Sequence, residues 1–170
     1  STLSSRKDVE LKRTYNFKYS NHQWSGIPII AANMDGVGEI NMAKNLAKFD
    51  MMTCLTKQHS AKDIKRNSIV KEIYPHLMIS TGTSKEDFKR LNEILKEFSF
   101  FEFICIDIAN GYSDHFSKFV SSVREKYPTK TIIAGNVVTA DITQELVMNG
   151  ADIVKVGIGP GSVCTTRIQT

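Results

Sequence analysis

Six short apolar runs recur along the chain, at IPIIA (27–31), MMTCL (51–55), LMIS (77–80), FICID (103–107), TIIAG (131–135) and DIVKV (152–156). Each is too short for a helix and nearly continuous in its apolarity, the pattern of parallel strands buried on both faces. The first five are followed by segments of helical character, and strand starts fall about 20 to 28 residues apart, room for one strand, one helix and two short loops. In the third unit Ser84 and Asp87 resemble a capping pair, ahead of Phe88, Leu91, Leu95 and Phe98 at 3–4 spacing on one face. Phe116, Phe119, Val120 and Val123 repeat that stripe in the fourth unit. In the fifth, Thr139 is placed as a cap and Gly150 as a stop. Residues 61–76 read as one helix.

Repeated strand–helix units make either a doubly wound open sheet or a (β/α)8 barrel. The polar residues favour the barrel. Asn33-Met34-Asp35, Lys57, Asp107 to Gly111, Asn136 and the loop from Gly157 all follow strand C-termini. Barrel sites are assembled from many strand ends on that rim, whereas a doubly wound sheet concentrates its site at one switch point. The expected fold is therefore α/β, an incomplete TIM barrel with about six of the eight units. Residues 1–26 form a lead-in over the floor or edge, and residues 27–170 carry the barrel units and end in a cysteine loop.

Composition narrows the partners. Of 170 residues, 41% are hydrophobic and 24% charged, ordinary for a globular chain. The net charge of +4 is dispersed among acidic neighbours, which gives no case for nucleic acid. No apolar stretch nears the roughly 20 residues a membrane helix needs, and the opening STLSSRKDVE has no signal character. Cys54, Cys105 and Cys164 fit neither a disulfide framework nor a zinc site, so a reducing, cytoplasmic setting is expected. The chain starts without Met and stops after a Gly-rich loop with no element to follow. It reads as the front part of a longer protein.

The densest chemistry lies in GIGPGSVCTTR, residues 157–167. Its glycines let the backbone approach a ligand closely; its carbonyls can hold a weakly hydrated cation and its N–H groups can face phosphate. A cysteine in such a loop, near Arg167, can have a lowered pKa and act as a nucleophile. The plainer reading is a turn whose Cys164 only packs. Elsewhere, Asp107 and Asn110 suit turn or cap roles and Asn136 a bond to its own turn. Cys54 and Cys105 suit small core positions. His59, His76 and His115 read as surface or helix-terminal, and His22 and Trp24 as packing residues.

VGIGPGSVCTTR resembles the catalytic loop of the family of inosine monophosphate dehydrogenases and guanosine monophosphate reductases. IPIIAANMD, STGTS, IDIANGYS and AGNVVT follow the family's order at the first, third, fourth and fifth strands. The CTTR tail and the lack of room in 61–76 for a regulatory insertion point to the reductase side. The resemblance implies a closed barrel, a homotetramer and NADPH-dependent reductive deamination of GMP to IMP and ammonia, through a thioimidate on Cys164. Thr166 matches the hydroxyl that handles the leaving group's proton, working with a Glu beyond residue 170. Gly159, Gly161, Cys164 and Arg167 match a potassium loop, and Ser162 a contact to the nucleotide phosphate. Lys57, Asp107, Ile108, Ala109, Ile158 and Gly159 match cofactor contacts. Asn33 and Met34 match the substrate side of the first-strand rim, although Gly36 stands where Thr is common.

Three other readings stay open. One is an NAD-dependent IMP dehydrogenase without the regulatory domain. A second is a Schiff-base aldolase using Lys155, since a buried strand lysine with a lowered pKa makes such a nucleophile. The third is a fragment without turnover.

Overall fold

Alternate residues along the strands face two separate cores, and that alternation decides the architecture. The computed structural model describes residues 5–158. A hairpin of β1 (Arg13–Asn16) and β2 (Gln23–Gly26) comes first. A parallel sheet follows: β3 (Ile30–Ala31), β4 (Met52–Leu55), β5 (Leu77–Thr81), β6 (Phe103–Asp107), β7 (Thr131–Val137) and β8 (Ile153–Val156), paired in chain order. Between them run α1 (Ile40–Leu46), α2 (Ala61–Arg66), α3 (Val70–Ile73), α4 (Lys85–Glu97), α5 (Asp114–Lys126) and α6 (Ala140–Met148).

Leu55, Leu77, Ile79, Ile104, Ile106, Ile132 and Ala134 join one core with apolar residues of all six helices, among them Ile64, Val70, Leu91, Phe116, Val120 and Leu146. The intervening positions Met52, Cys54, Met78, Phe103, Cys105 and Ile133 form a second core with Trp24 of the hairpin. With helices on one face only and a strand order that never reverses, the sheet is part of a barrel rather than a doubly wound fold. It is α/β, a curled half-barrel of six strands.

The lead-in meets the N-terminal ends of the strands. Phe17 packs edge-on against Phe103 at 5.9 Å, and Trp24 Nε1 donates to the Pro75 carbonyl at 3.1 Å. Ser20 Oγ and Thr131 Oγ1 lie 3.0 Å apart, and Tyr19 N donates to Asp152 Oδ1 at 2.9 Å. Asp152 also pairs with Arg124 of α5 at 2.6 Å, its own side chain fully inaccessible. His22 and Trp24 are thus packing residues, with the His22 ring 5.1 Å from Phe103.

Local differences from the sequence pattern have simple causes. Residues 61–76 form α2, α3 and a 3-10 turn (Tyr74–His76) rather than one helix. Asn67 ends α2 by donating its side-chain amide to the Asp63 carbonyl at 2.8 Å, and Pro75 opens the turn. Ser84 caps α4 by accepting from Asp87 N, but no reciprocal bond from the Asp87 side chain completes a box. Thr139 occupies the α6 cap position without a side-chain cap bond. Gly150 does end that unit, at φ +102°. Among the described residues no helix is long and apolar enough to cross a membrane.

Candidate functional site

The C-terminal rim holds a cleft of about 300 Å³ bordered by Asn33, Asp35, Thr56, Lys57, Gln58, Ser80, Thr81, Asp107, Ile108 and Ala109. Its walls are the last residues of β5 and β6 and the segments that follow β3, β4 and β6. Six residues singled out in the sequence (Asn33, Asp35, Lys57, Asp107, Ile108 and Ala109) therefore meet in one place, although they come from three different strand ends.

Asp107 is the centre of the site's electrostatics. It accepts from Asn33 Nδ2 at 2.7 Å on Oδ2 and from Lys155 Nζ on Oδ1. Lys155 Nζ also donates to Asn33 Oδ1 at 3.3 Å. The register explains how a β8 lysine reaches a β6 carboxylate: Asp107 pairs with Gly135 on β7, and Gly135 pairs with Lys155. A Cβ at Gly135 would lie 2.6 Å from Lys155 Cβ. The missing side chain lets lysine pass over the intervening strand.

Burial presses the Lys155 ammonium towards deprotonation, but Cys105, Asp107 and Cys54 outweigh it and raise the pKa above its ordinary value. A lysine held charged and paired is the opposite of the free amine a Schiff base requires. Beneath it, Cys54 and Cys105 are buried. The hydrogen bond from Cys105, and then burial, push the Cys54 thiol well above its usual range. Both cysteines are inert core residues, as their apolar surroundings in the sequence imply.

The other expected site residues are placed less centrally. Lys57 is mostly exposed and lies 3.9 Å from Asp87 Oδ2. Met34 is 60% exposed and does not border the cleft, while Ile158 is buried just beyond β8. Gly159, Gly161, Ser162, Cys164, Thr166 and Arg167 lie outside the described residues. Among the described residues no group of three or more His, Cys, Asp or Glu is arranged for a metal.

Several contacts escape sequence reasoning. Asn136 does not bond within its own turn: Nδ2 donates to the Gly157 carbonyl at 3.0 Å, tying β7 to the start of the cysteine loop. Its buried Oδ1 has no hydrogen-bond partner among the described residues. Asn110 does act locally, accepting from Tyr112 N at 3.1 Å, but the cap of α5 is Ser113. Asp107 is no turn residue. Ser80 and Thr81 open the STGTS segment, but Thr56 belongs to no motif, and only the fold brings the three to one wall. Of the two readings of His59, the helix-terminal one holds: it directly precedes the α2 cap Ser60, and its side chain is only 13% exposed.

A parallel half-barrel with polar groups from several strand ends on its C-terminal rim defines the class, and the comparison with known families agrees. The chain belongs to the IMP dehydrogenase / GMP reductase family, whose domain matches residues 5–170. A protein named GMP reductase from Citrobacter koseri is 56% identical over 172 residues, covering 100% of this chain and 50% of that protein. A GMP reductase from Escherichia coli is 55% identical over the same coverage. In three dimensions the chain resembles the crystal structure of inosine 5′ monophosphate dehydrogenase from Legionella pneumophila. There the TM-score is 0.76 at 28% identity, over 100% of this chain and 51% of the other. The chain spans about half the length of the relatives it matches.

Proposed function

We propose that this chain supplies the cofactor wall and the nucleophile of a GMP reductase, which converts GMP to IMP and ammonia with NADPH. The observation that carries the reading is the meeting of Asn33, Lys57, Asp107, Ile108 and Ala109 in one rim cleft. Identity above one half to proteins named GMP reductase supports the same reaction. The cleft suits a nicotinamide riboside. Its size is that of a small ligand pocket; Asp35, Lys57 and Gln58 line it with polar side chains suited to ribose and amide, and Ile108 and Ala109 with apolar surface. When bound there, a dihydronicotinamide supplies the hydride that replaces the purine amino group.

The chain's own residues account for the remaining steps. The Cys164 thiolate adds to C2 of the purine. The C2–N bond then breaks and ammonia leaves, its proton handled through the Thr166 hydroxyl. The Cys164–C2 bond of the resulting thioimidate breaks again as IMP departs, so one hard displacement becomes two easier ones. Ser162 holds the nucleotide phosphate and Met34 borders the substrate side. Asp107 is oriented by Lys155 and Asn33. Potassium bound by Gly159, Gly161, Cys164 and Arg167 belongs to the same reading and rests on the resemblance of the loop; a homotetramer rests on the family resemblance, and a cytoplasmic setting on the cysteine pattern.

The test compares two assays on this chain and on the chain extended by the second half of a GMP reductase. GMP-dependent NADPH oxidation is expected in the extended chain only. NAD reduction with IMP in its place would establish the dehydrogenase reading, and equal GMP turnover in both chains would show that downstream residues are not required.

A further inference from the structure

The loop between β4 and α2 puts Lys57 and Gln58 into the rim cleft, and the two residues that flank them hold them there. Thr56 precedes them and His59 follows. His59 Nδ1 lies 3.0 Å from Thr56 Oγ1 and 3.3 Å from the Thr56 carbonyl, closing a short ring around the pair. On its other side His59 Nε2 meets Glu39 Oε2 at 3.2 Å. Glu39 stands at the cap position of α1 yet makes no side-chain cap bond there, so its carboxylate is committed to the histidine. Asp63, the other acid nearby, is taken up by Ser60, whose N and Oγ both donate to it at 2.9 and 2.6 Å.

The backbone of His59 extends the clasp to a third strand end. Its carbonyl accepts from Arg90 Nη1 at 2.7 Å, and Arg90 Nη2 donates to the carbonyl of Ser80, which borders the cleft. Behind the loop lies a second depression of about 400 Å³ bordered by Glu39, Asp63 and His59, and Thr56 and Gln58 border both. Thr56 and Gln58 thus separate the two, with the His59 side chain, 13% exposed, lining the rear one.

We infer that His59, clasped between Glu39 and Thr56, is a positioning residue that holds the Lys57–Gln58 wall of the cofactor cleft in place. The inference rests on the cleft's assignment to the nicotinamide cofactor. A fixed wall matters because binding is weakened when a segment must be ordered at the moment of association. Removing the ring leaves other ties intact, since Thr56 N still donates to the Gly38 carbonyl at 3.0 Å and Arg90 still holds the His59 carbonyl. The fold is therefore expected to survive the substitution while the wall loosens.

Steady-state kinetics in the chain extended by the second half of a GMP reductase tests this. His59→Ala is expected to raise KM for NADPH about tenfold, with KM for GMP and kcat within about threefold, a split that marks lost cofactor binding. NADPH binding without GMP, followed by fluorescence, should weaken by the same factor. His59→Gln keeps a donor and should recover part of the loss. Glu39→Gln should reproduce part of it, and the double variant should fall short of the product of the two. An unchanged KM for NADPH in a parent that reduces GMP would overturn the inference and leave the proposed reaction standing. A uniform loss in kcat and both KM values, with a lowered unfolding midpoint, would make His59 merely structural and equally overturn it. A parent that does not reduce GMP at all would remove the proposed reaction, and the inference with it.

Discussion

Lys155 crosses β7 to reach Asp107 because Gly135 puts no side chain in its way. A Cβ there would stand 2.6 Å from both Lys155 Cβ and the Lys155 carbonyl oxygen, and backbone cannot yield as a flexible side chain does. Gly135→Ala should cost about 1–3 kcal/mol, the usual range for overpacking, read as a lower urea midpoint. The thiol and amine beneath the rim also make the fold sensitive to alkali. Cys54, with an ordinary pKa of 9.0, is raised in the folded state. Its stabilising contribution is therefore complete below that value and fades as pH climbs towards the folded one. Lys155, raised above 10.5, follows the same sign in a higher window. Stability should fall above pH 9, by about 1.4 kcal/mol per pH unit for each proton involved, and Cys54→Ala should flatten the first part of that fall. At this scale Asp107 and Asn33 were legible as members of motifs. The pairing of Lys155 with them was not, because it depends on the register of three strands.

The helices were legible from their apolar stripes, as in α4 and α5, but of the two caps only Ser84 was read from the sequence. Ser84 and Ser113 accept from the backbone N–H of Asp87 and Phe116. Each should lose about 1 kcal/mol on replacement by alanine, whereas Thr139→Ala, with no cap bond to lose, should lie within about 0.5 kcal/mol of the parent. Thermal melts of the three variants separate these cases. Strand limits were harder to read. The run at 27–31 is apolar throughout, but only Ile30–Ala31 pairs with β4. Pro28 has no N–H to give a ladder, and Ile27 N is already spent on the Asp50 carbonyl. Likewise the side chain of Asn67 divides the 61–76 segment, a local hydrogen bond that hydrophobic spacing does not record.

At the scale of the molecule, the Arg124–Asp152 ion pair of the half-barrel anchors the lead-in through a hydrogen bond from Tyr19 N. Asp152 receives Arg124 Nη2, Tyr19 N and Ile132 N, so Asp152→Ala strips the partner from a nearly buried guanidinium and two backbone donors. A loss of about 3–5 kcal/mol is expected, measured by denaturant unfolding. The barrel itself could be anticipated from where polar residues fall relative to strand ends. The face on which helices lie could not, since alternation within continuous apolar runs is invisible until side chains are assigned to a core. The half-barrel carries the cofactor side of the proposed site, and the loop after β8 carries Cys164. Intact-protein and peptide mass spectrometry on the extended chain, quenched during turnover with GMP, reports directly on that thiol. A purine nucleotide adduct on the Cys164 peptide, absent in Cys164→Ala along with activity, is the expected result. An adduct on Lys155, or GMP reduction that survives Cys164→Ala, would contradict the account.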